Sequence, residues 1–453
     1  MKKELEIKQA LETLSKEKLI GIILHITENN DVLRDSIIFK CSKGDNEEEL
    51  KKCKKLIGSI IRSYVNKAGF IRYEHSYEFM QAMEGVLERA RDEEDVMLAF
   101  DISLLLLSET VEAFKYSDDS SGDIGYLAGD IIEFISQDVV LRDDLDLNLR
   151  KQIFNKLIKL IDNNVFADFE DYKNDILQIC TEFADVKELR DKLVEKINHL
   201  ISKDVNNRYD EESMLQILFE IVEKYDTEKE AEKFIKNNIG FTSFREMLID
   251  KYIEEKNYSK VVKLTLEGEK KDRGYAGLVD KWKKIRYTAY KVLQNREEQE
   301  KLAKELLFHG NFEYYKELKE LHIENAHEFY NNLKEEIKSS GKIYIGGIYI
   351  KIILEENDLD ELMEFVRNNP SDIELYADKL VRKFRDEVVD IYYKYIKEKA
   401  NYSSNRPAYR YVCEILKKYK NIVGEEKQIK LKNELSVLYK KRPAFVDELS
   451  KMR

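Results

Sequence analysis

The chain has 453 residues, of which 43% are hydrophobic and 37% are charged, and its net charge is −12. This length exceeds one ordinary globular core, and this hydrophobic content excludes a disordered chain, so two or three domains or one long solenoid are expected. Only three Pro and seventeen Gly are present, which argues against β-sandwiches, barrels and Rossmann-type folds, because their turns need both residues.

The first predicted elements are two helices between residues 7 and 40, where Leu and Ile recur at helical spacing and Ser15 has the features of an N-cap. The opening Met1–Glu6 is charged, so we expect no signal peptide. No apolar run is long enough to span a bilayer, so we expect a cytoplasmic protein without a membrane partner. The four cysteines show neither disulfide nor metal spacing and are expected to be free thiols.

A series of helices is predicted in the middle of the chain. Residues 47–67 form one helix and residues 75–116 form two, of which Val96–Lys115 is the most apolar and is expected at the centre of its bundle. The helices predicted after these lie at 125–136, 147–163, 169–183, 187–202 and 209–224.

The most distinctive predicted loop carries the first candidate partner-binding residues, Asp118, Asp119, Ser120 and Asp123. An EF-hand loop needs Gly at its sixth position, whereas Gly122 is fifth from Asp118, so calcium is not expected. These side chains are interpreted as caps for the N-terminus of the next helix, which attracts acidic groups. A loop that binds a partner is the alternative interpretation.

A domain boundary is predicted near Ser202–Arg208, where the apolar periodicity lapses. It separates an N-terminal helical domain at residues 1–205 from a second domain at residues 206–453, and helical hairpins are expected from about residue 228 onward. Within the later hairpins, Lys342–Ile350 alternates like a strand but has no partner strand, so a loop followed by a buried helix is expected there.

The second domain repeats one turn phrase between helical segments. Its three copies are Glu255–Tyr258, His309–Phe312 and Glu356–Leu359. This repetition predicts TPR- or HEAT-like helical hairpins in a right-handed αα superhelix. The turns lie 54 and 46 residues apart, longer than one repeat, so each interval must include extra or longer helices and the array is irregular.

Motifs for catalysis are missing from the sequence. It contains no H-E-x-x-H zinc motif, no phosphate-binding glycine loop and no G-x-S-x-G nucleophile elbow. The Arg–His pair of HEPN-type ribonucleases is also missing. We therefore expect a protein that is not an enzyme and needs neither a cofactor nor a metal ion, and a helical hydrolase with a cryptic site is the weakest hypothesis.

The C-terminal region is basic. Residues 379–453 contain 20 basic and 10 acidic residues, so they carry +10 and the remaining −22 belongs to residues 1–378. Tyrosines are interleaved with these cations and predict either helix packing or stacking on nucleic-acid bases. A basic tail is either a solvated helical face or a contact for nucleic acid or an acidic partner. The candidate residues in this region are Arg406, Tyr409, Arg410, Lys440, Lys441 and Arg442.

Several segments resemble one known family. They are Leu14–Ile20, Gly69–Ile71, Asp118–Gly122, Phe312–Leu318, Arg406–Cys413 and Lys440–Leu449. Over nearly the whole chain, and in order, they are similar to the helical C-terminal region of large bacterial SWIM zinc-finger proteins. The resemblance implies a long helical region that normally follows the finger. The finger itself, C-x-C followed by C-x-H, does not occur here, so its zinc-dependent contacts are not expected of this chain.

These observations predict an all-α, non-catalytic, cytoplasmic scaffold that binds another protein. The concave face of the array at residues 228–453 is the expected docking surface. The alternative is an accessory factor of a nucleic-acid-associated complex that contacts DNA or RNA through the basic, Tyr-rich C-terminal region.

Overall fold

The computed structural model describes residues 9–41, 44–203, 208–340 and 346–452. Within these residues the chain is all-α, as predicted, and β structure is limited to one isolated parallel bridge. Its contacts divide it into two compact units, Met1–Leu248 and Ile249–Arg453. The domain boundary predicted at residue 205 stays a prediction, since residues 204–207 lie outside the described part.

The helices of the first unit match the sequence pattern closely. They are α1 (Lys16–Thr27), α2 (Asp31–Cys41), α3 (Asn46–Tyr64), α4 (Tyr73–Arg91), α5 (Val96–Ala113), α6 (Asp123–Phe134), α7 (Leu147–Ile161), α8 (Glu170–Cys180), α9 (Lys187–Lys203), α10 (Arg208–Tyr225), α11 (Glu228–Asn237) and α12 (Thr242–Glu254), the last of which continues across the division. The five helices predicted between residues 125 and 224 are confirmed, with ends within three residues of those predicted. The predicted N-cap is also confirmed, because the Ser15 hydroxyl accepts the backbone N–H of Lys18 at 3.4 Å.

Helix α5 is the centre of the first unit, as its apolar sequence predicted. It packs against α3, α4, α6 and α7, and it buries Phe100, Ile102 and Leu106 among other side chains. Asp95 begins this helix, since its carboxylate accepts the N–H groups of Met97 and Leu98 at 2.9 and 3.1 Å. A helix that is apolar on several faces is stable only where neighbours cover it, and here four neighbours do so.

The second unit continues with shorter helices joined by tight turns. They are α13 (Tyr258–Lys271), α14 (Ala276–Val292), α15 (Arg296–Phe308), α16 (Glu313–Leu321), α17 (Ala326–Ser340), α18 (Gly346–Glu355), α19 (Leu359–Asn368), α20 (Ile373–Leu380), α21 (Arg385–Tyr402), α22 (Arg406–Val423), α23 (Glu425–Leu438) and α24 (Pro443–Ser450). Most of them pack against the next helix in the chain. Such packing is what a helical-hairpin array requires, and the right-handed superhelical course stays a prediction.

Four turns of the second unit share one hydrogen-bond geometry. A residue with positive φ ends each helix, and the N–H of the following Asn or Asp donates to the carbonyl five residues earlier at 2.7 to 3.1 Å. These donor and acceptor pairs are Asn257 and Tyr252, Asn295 and Tyr290, Asn311 and Leu306, and Asp358 and Ile353. This is the Schellman motif, which satisfies the last carbonyls of a helix.

The three predicted turns are therefore confirmed, with one shift of register. In the third copy Asp358, rather than Asn357, occupies the position of Asn257. The fourth turn, at Asn295, was missed because its neighbours Gln294 and Arg296 do not repeat the phrase. As predicted from the long intervals, the described residues between successive predicted turns form three α-helices in each interval.

The segment that alternates like a strand is helical where the structure describes it. Lys342–Ile345 lie outside the described residues, and α18 begins at Gly346. Ile348, Ile352 and Ile353 of this helix are buried, so the predicted buried helix is confirmed. Among all the helices described, none combines the length and the apolarity that crossing a membrane requires.

Candidate functional site

The predicted partner-binding loop after α5 is held in place by its backbone. The N–H of Ile71 donates to the carbonyl of Tyr116 at 2.8 Å, and the N–H of Asp118 donates to the carbonyl of Ile71 at 3.0 Å. These two bonds form the isolated bridge and fasten the start of the loop to the segment before α4. At the other end of the loop, Gly122 has a φ of +78°, a conformation that glycine adopts without strain.

The side chains of this loop mostly bond to the loop itself. Asp119 accepts the N–H groups of Ile124 and Gly125, at 2.7 and 3.3 Å, and thus performs the predicted capping of α6. Asp118 accepts the hydroxyl of Ser120 at 2.5 Å and its N–H at 3.0 Å, and these bonds lower the pKa of the Asp118 carboxyl.

Asp123 completes the loop by joining it to α4. Its carboxylate accepts the hydroxyls of Ser76 and Ser121 at 2.9 and 2.5 Å. The geometry therefore supports the interpretation of the loop as the start of a helix, and its role in partner binding stays a prediction. Throughout the described residues, no group of three or more His, Cys, Asp or Glu side chains is placed to hold a metal ion.

Two candidate cations near the C-terminus are already paired with carboxylates. Arg406 donates to Asp447 at 2.8 Å and to Glu448 at 2.7 Å, and Arg410 lies 3.4 Å from Glu448. The hydrogen bond from Arg406 lowers the pKa of the Glu448 carboxyl. These pairs join α22 to α24, and they give both arginines a carboxylate partner.

The C-terminal tyrosines serve mainly as packing residues. Tyr409 is buried and stacks on Phe445, with ring centroids 4.8 Å apart and planes 17° apart. Tyr392, Tyr395 and Tyr419 are also buried. Rings in such positions cannot accept a nucleic-acid base without unfolding the helices around them.

Arg442 connects the turn between α23 and α24 to the end of α21. Its guanidinium donates to the carbonyls of Ala400, Asn401 and Ser403 at 2.9 to 3.3 Å, and it lies over the Tyr439 ring at 4.7 Å. The last carbonyls of a helix lack partners within the helix, so these bonds cap α21. Arg442 is therefore a structural residue in this geometry.

The bonds of Arg442 link two segments that carry exposed apolar and cationic side chains, namely the end of α21 and the end of α23 with the turn after it. Tyr402 ends α21 and is 77% exposed, while Val437 and Leu438 end α23 and are 73% and 56% exposed. Lys440 and Lys441 follow after Tyr439, are exposed, and make no side-chain bond to any described residue. We call these five residues the C-terminal surface. Sequence reasoning found its lysines but missed its apolar members.

Tyr402, Val437 and Leu438 could have been recognised in part from helical spacing. The buried side of α23 carries Leu431 and Leu435; Leu438 continues this spacing although it is exposed, whereas Val437 does not. Val437, an apolar residue off the buried face and three positions before Lys440, is the available signal. The link between the end of α21 and the turn after α23 has no local signal, because Arg442 makes it across about 40 residues of sequence.

The second unit also contains four tyrosine–lysine clamps that the sequence analysis missed. In each clamp a Tyr hydroxyl and the Lys amine four residues later donate to one carboxylate from a later segment, at 2.6 to 3.0 Å. The clamps are Tyr287 and Lys291 with Glu317, Tyr315 and Lys319 with Glu356, Tyr330 and Lys334 with Asp358, and Tyr393 and Lys397 with Glu434. Their signal is the spacing Y-x-x-x-K, which puts both donors on one helix face.

Comparison with known proteins gives no family for the chain. No protein-family model matches the sequence, and no curated protein matches it either.

Proposed function

We propose that this protein is a non-catalytic scaffold that binds another protein through the C-terminal surface. The main support for this proposal is the exposure of Tyr402, Val437 and Leu438. Two exposed lysines, Lys440 and Lys441, follow Val437 and Leu438 in the chain and have no partner among the described residues. Exposed apolar side chains that lie together next to polar ones are typical of interaction sites.

The chemistry of the C-terminal surface selects the class of partner. Three apolar side chains fit a hydrophobic anchor, and Lys440 and Lys441 fit carboxylates that flank it. We therefore propose a partner segment with alternating acidic and apolar residues, such as an amphipathic helix. The bonds of Arg442 hold the surface in one arrangement before binding, which reduces the entropy lost on association.

Site-specific photo-crosslinking tests this function. A photoreactive phenylalanine derivative replaces Tyr402, and the same derivative replaces Tyr275, another highly exposed tyrosine of the second unit, as the matched control. We expect Tyr402 alone to crosslink a protein whose contact peptide is acidic and apolar, and Val437→Asp with Leu438→Asp to abolish that product. Identical products from both positions would contradict the proposal.

A second candidate function is nucleic-acid binding, which the exposed and unpaired Lys440 and Lys441 favour. The pairing of Arg406 and Arg410 with carboxylates weakens it, and so does the burial of four of the eight tyrosines in residues 379–453. If these lysines contact phosphates, the double variant K440E/K441E should reduce the slope of log binding constant against log salt by about 1.4 on single strands. Arg442 is kept unchanged because it caps α21.

The salt titration of this variant discriminates the two functions. Binding of the wild type to a single-stranded oligonucleotide at low salt, with the reduced slope in the variant, would favour nucleic acid. A wild type that does not bind at low salt would contradict nucleic-acid binding and leave the protein partner as the function.

Two further features of the chain are proposals of the same kind. We propose a cytoplasmic location, which the free thiols of Cys41, Cys53, Cys180 and Cys413 support, because reducing compartments preserve thiols. We also propose kinship with the helical region of SWIM zinc-finger proteins, which is supported by the sequence segments quoted above.

A further inference from the structure

A cavity of about 550 Å³ lies between the end of α3 and the first two turns of α4. Tyr64 and Val65 line it from the end of α3, Phe70 from the connecting segment, and His75 and Glu78 from α4. Its volume is in the range of sites that hold small molecules. The cavity belongs to the first unit, so its test is independent of the C-terminal surface, which belongs to the second.

The walls of this cavity are fixed by the protein itself. In the segment between α3 and α4, the Asn66 side chain accepts the N–H groups of Ala68 and Phe70 at 2.8 and 3.2 Å. The Tyr64 ring packs edge-on against the buried ring of Phe79, with centroids 5.9 Å apart. A site that is formed before binding loses little entropy on association, so this cavity is suited to a small ligand.

Two opposite charges line the cavity without a close partner. In the described part of the chain, the Arg72 guanidinium lies 3.6 Å from Glu74, and the Glu78 carboxylate lies 3.5 Å from His75. Both distances exceed the length of a charge-assisted hydrogen bond, which is about 2.7 to 2.9 Å. The side chains of Arg72 and Glu78 are 68% and 62% exposed, so a ligand can reach both charges.

The spacing of these two charges indicates the length of the ligand. Arg72 and Glu78 are six residues apart, which corresponds to about 9 Å along the axis of α4. An extended peptide of two or three residues spans about 7 to 10 Å. The two charges of a free amino acid are attached to one carbon atom, so they match this separation less well.

We propose that this cavity binds a di- or tripeptide that has free termini and an apolar side chain. The peptide carboxylate pairs with Arg72, since a planar guanidinium can donate two parallel bonds to a carboxylate. Arg72 directly precedes the first turn of α4, and the positive end of the helix dipole favours an anion there. The peptide ammonium group pairs with the Glu78 carboxylate.

The groups between the two charges fit the body of such a peptide. The His75 ring can donate to, or accept from, a peptide group. Phe70 is 39% exposed and Tyr64 and Val65 are half-buried, so these residues offer an apolar surface to the side chain of the peptide. An inorganic anion would use Arg72 but would leave Glu78 and the apolar surface without a partner.

Isothermal titration calorimetry of the full chain tests the site with the dipeptide Ala-Phe and the tripeptide Ala-Ala-Phe. We expect the tighter of the two to bind with a dissociation constant between about 10 µM and about 1 mM. Its C-terminal amide lacks the carboxylate and its N-acetyl form lacks the ammonium group, so each should bind about tenfold more weakly. Free phenylalanine should also bind more weakly, because its charges are too close together.

Variants show which terminus each charge contacts. Arg72→Gln should weaken binding of the free peptide about tenfold but leave binding of its amide unchanged, because the amide never makes this pair. Glu78→Gln should likewise weaken binding of the free peptide and leave the N-acetyl form unchanged. The matched controls Arg273→Gln and Glu133→Gln change exposed residues outside the cavity and should leave every dissociation constant unchanged.

Four results would overturn the proposal. The first is that neither peptide binds at concentrations on the order of 10 mM. The second is equal binding of the free peptide and its two capped forms, which would show that the termini are not recognised. The third is peptide binding that both cavity variants leave intact, which would place the site elsewhere. The fourth is inorganic phosphate binding as tightly as the peptide, which would assign the cavity to anions. Unchanged circular dichroism of each variant shows that the protein still folds.

Discussion

Single residues decide how closely the helices of the second unit approach. A Cβ added at Gly268 would lie 3.0 Å from three atoms of the Trp282 ring. The ring cannot move away easily, because it is fully buried and its Nε1 donates to Asp272 at 2.8 Å. Gly268 therefore permits the contact between α13 and α14, for which a larger residue has no space.

We expect Gly268→Ala to lower the free energy of unfolding by about 1–3 kcal/mol, because it overpacks this contact. Gly277→Ala is the matched control in the same pair of helices. Its new Cβ would meet no atom within 4 Å, so the better helix propensity of Ala should raise stability by about 0.5–1 kcal/mol. Urea unfolding measures both, and equal effects of the two variants would contradict the argument.

At the scale of the residue, the tyrosine–lysine clamps also give a reason for the high tyrosine content of the second unit. In the clamp of Tyr287, Lys291 and Glu317, both donors reach one carboxylate at 2.7 and 2.6 Å. Burial by itself would raise the pKa of Glu317, but the bonds from Lys291 and Tyr287 outweigh it and lower the pKa. Burial and the bond to Glu317 raise the pKa of Tyr287. Tyr287 therefore stays protonated and connects its helix to the helix of Glu317.

At the scale of the element, two turns between helices carry a small backbone strain that a glycine would remove. Lys256 and Gln294 adopt φ values of +56° and +55°, although both carry a Cβ, whereas Gly310 occupies the corresponding place with a φ of +104°. The left-handed conformation costs an L-residue about 1–2 kcal/mol, and glycine avoids this cost. The hydrogen bonds of the Schellman motif compensate for the strain in the first two turns.

Substitution to glycine in the first two turns and to alanine at Gly310 should change the free energy of unfolding in opposite directions. Lys256→Gly and Gln294→Gly should each raise the free energy of unfolding by about 0.5–1 kcal/mol, even though glycine is usually destabilising. Gly310→Ala should lower it by about 1 kcal/mol, because Ala cannot adopt the positive φ freely. Urea unfolding of the three variants in parallel is the measurement. A destabilised Lys256→Gly would show that the turn carries no strain.

At the scale of the whole molecule, the bonds between tyrosines, lysines and carboxylates make the free energy of unfolding depend on pH in both the acid and the alkaline range. Hydrogen bonds from lysines and tyrosines, acting against burial, lower the pKa values of Glu317, Glu374 and Glu434 below their ordinary value of 4.5. Burial together with a nearby carboxylate raises the pKa values of Tyr287 and Tyr315 above 10.0. Both shifts favour the folded state at neutral pH.

The direction of each pKa shift gives the expected dependence of the free energy of unfolding on pH. A carboxyl whose pKa is lowered by folding stabilises the protein above about pH 4.5, and this contribution is lost as pH falls through the folded value. A tyrosine whose pKa is raised by folding stabilises it below about pH 10, and this contribution is lost at higher pH. We therefore expect the free energy of unfolding to decline below about pH 5 and above about pH 10.

Chemical unfolding across the pH range measures this profile. Glu317→Gln keeps an acceptor for Tyr287 and Lys291 but cannot titrate, so it should make the acid decline shallower. Glu426→Gln changes an exposed carboxyl outside the clamps and should leave the slope of the decline unchanged. An acid decline that is the same in both variants would contradict the assignment to the clamps.

Local sequence by itself determined the helices and most of their ends. Helical periodicity, Ser15 as a cap, and the Asn-centred turns act within a few residues, so their physical effects can be read from neighbouring positions. The same local reasoning placed Asp119 correctly as a cap. It also located Lys440 and Lys441 as candidate binding residues, because exposed charge follows from composition.

Only the tertiary structure decided which of these residues are free. The sequence gives Arg406, Arg410 and Arg442 the same charge as Lys440, yet carboxylates of α24 engage the first two and the carbonyls that end α21 engage the third. These partners lie about 40 residues away along the chain, and local periodicity carries no information about such distances. The exposure of the aliphatic side chains of α1 was equally invisible, because an apolar periodicity predicts a face to be covered and never states what covers it.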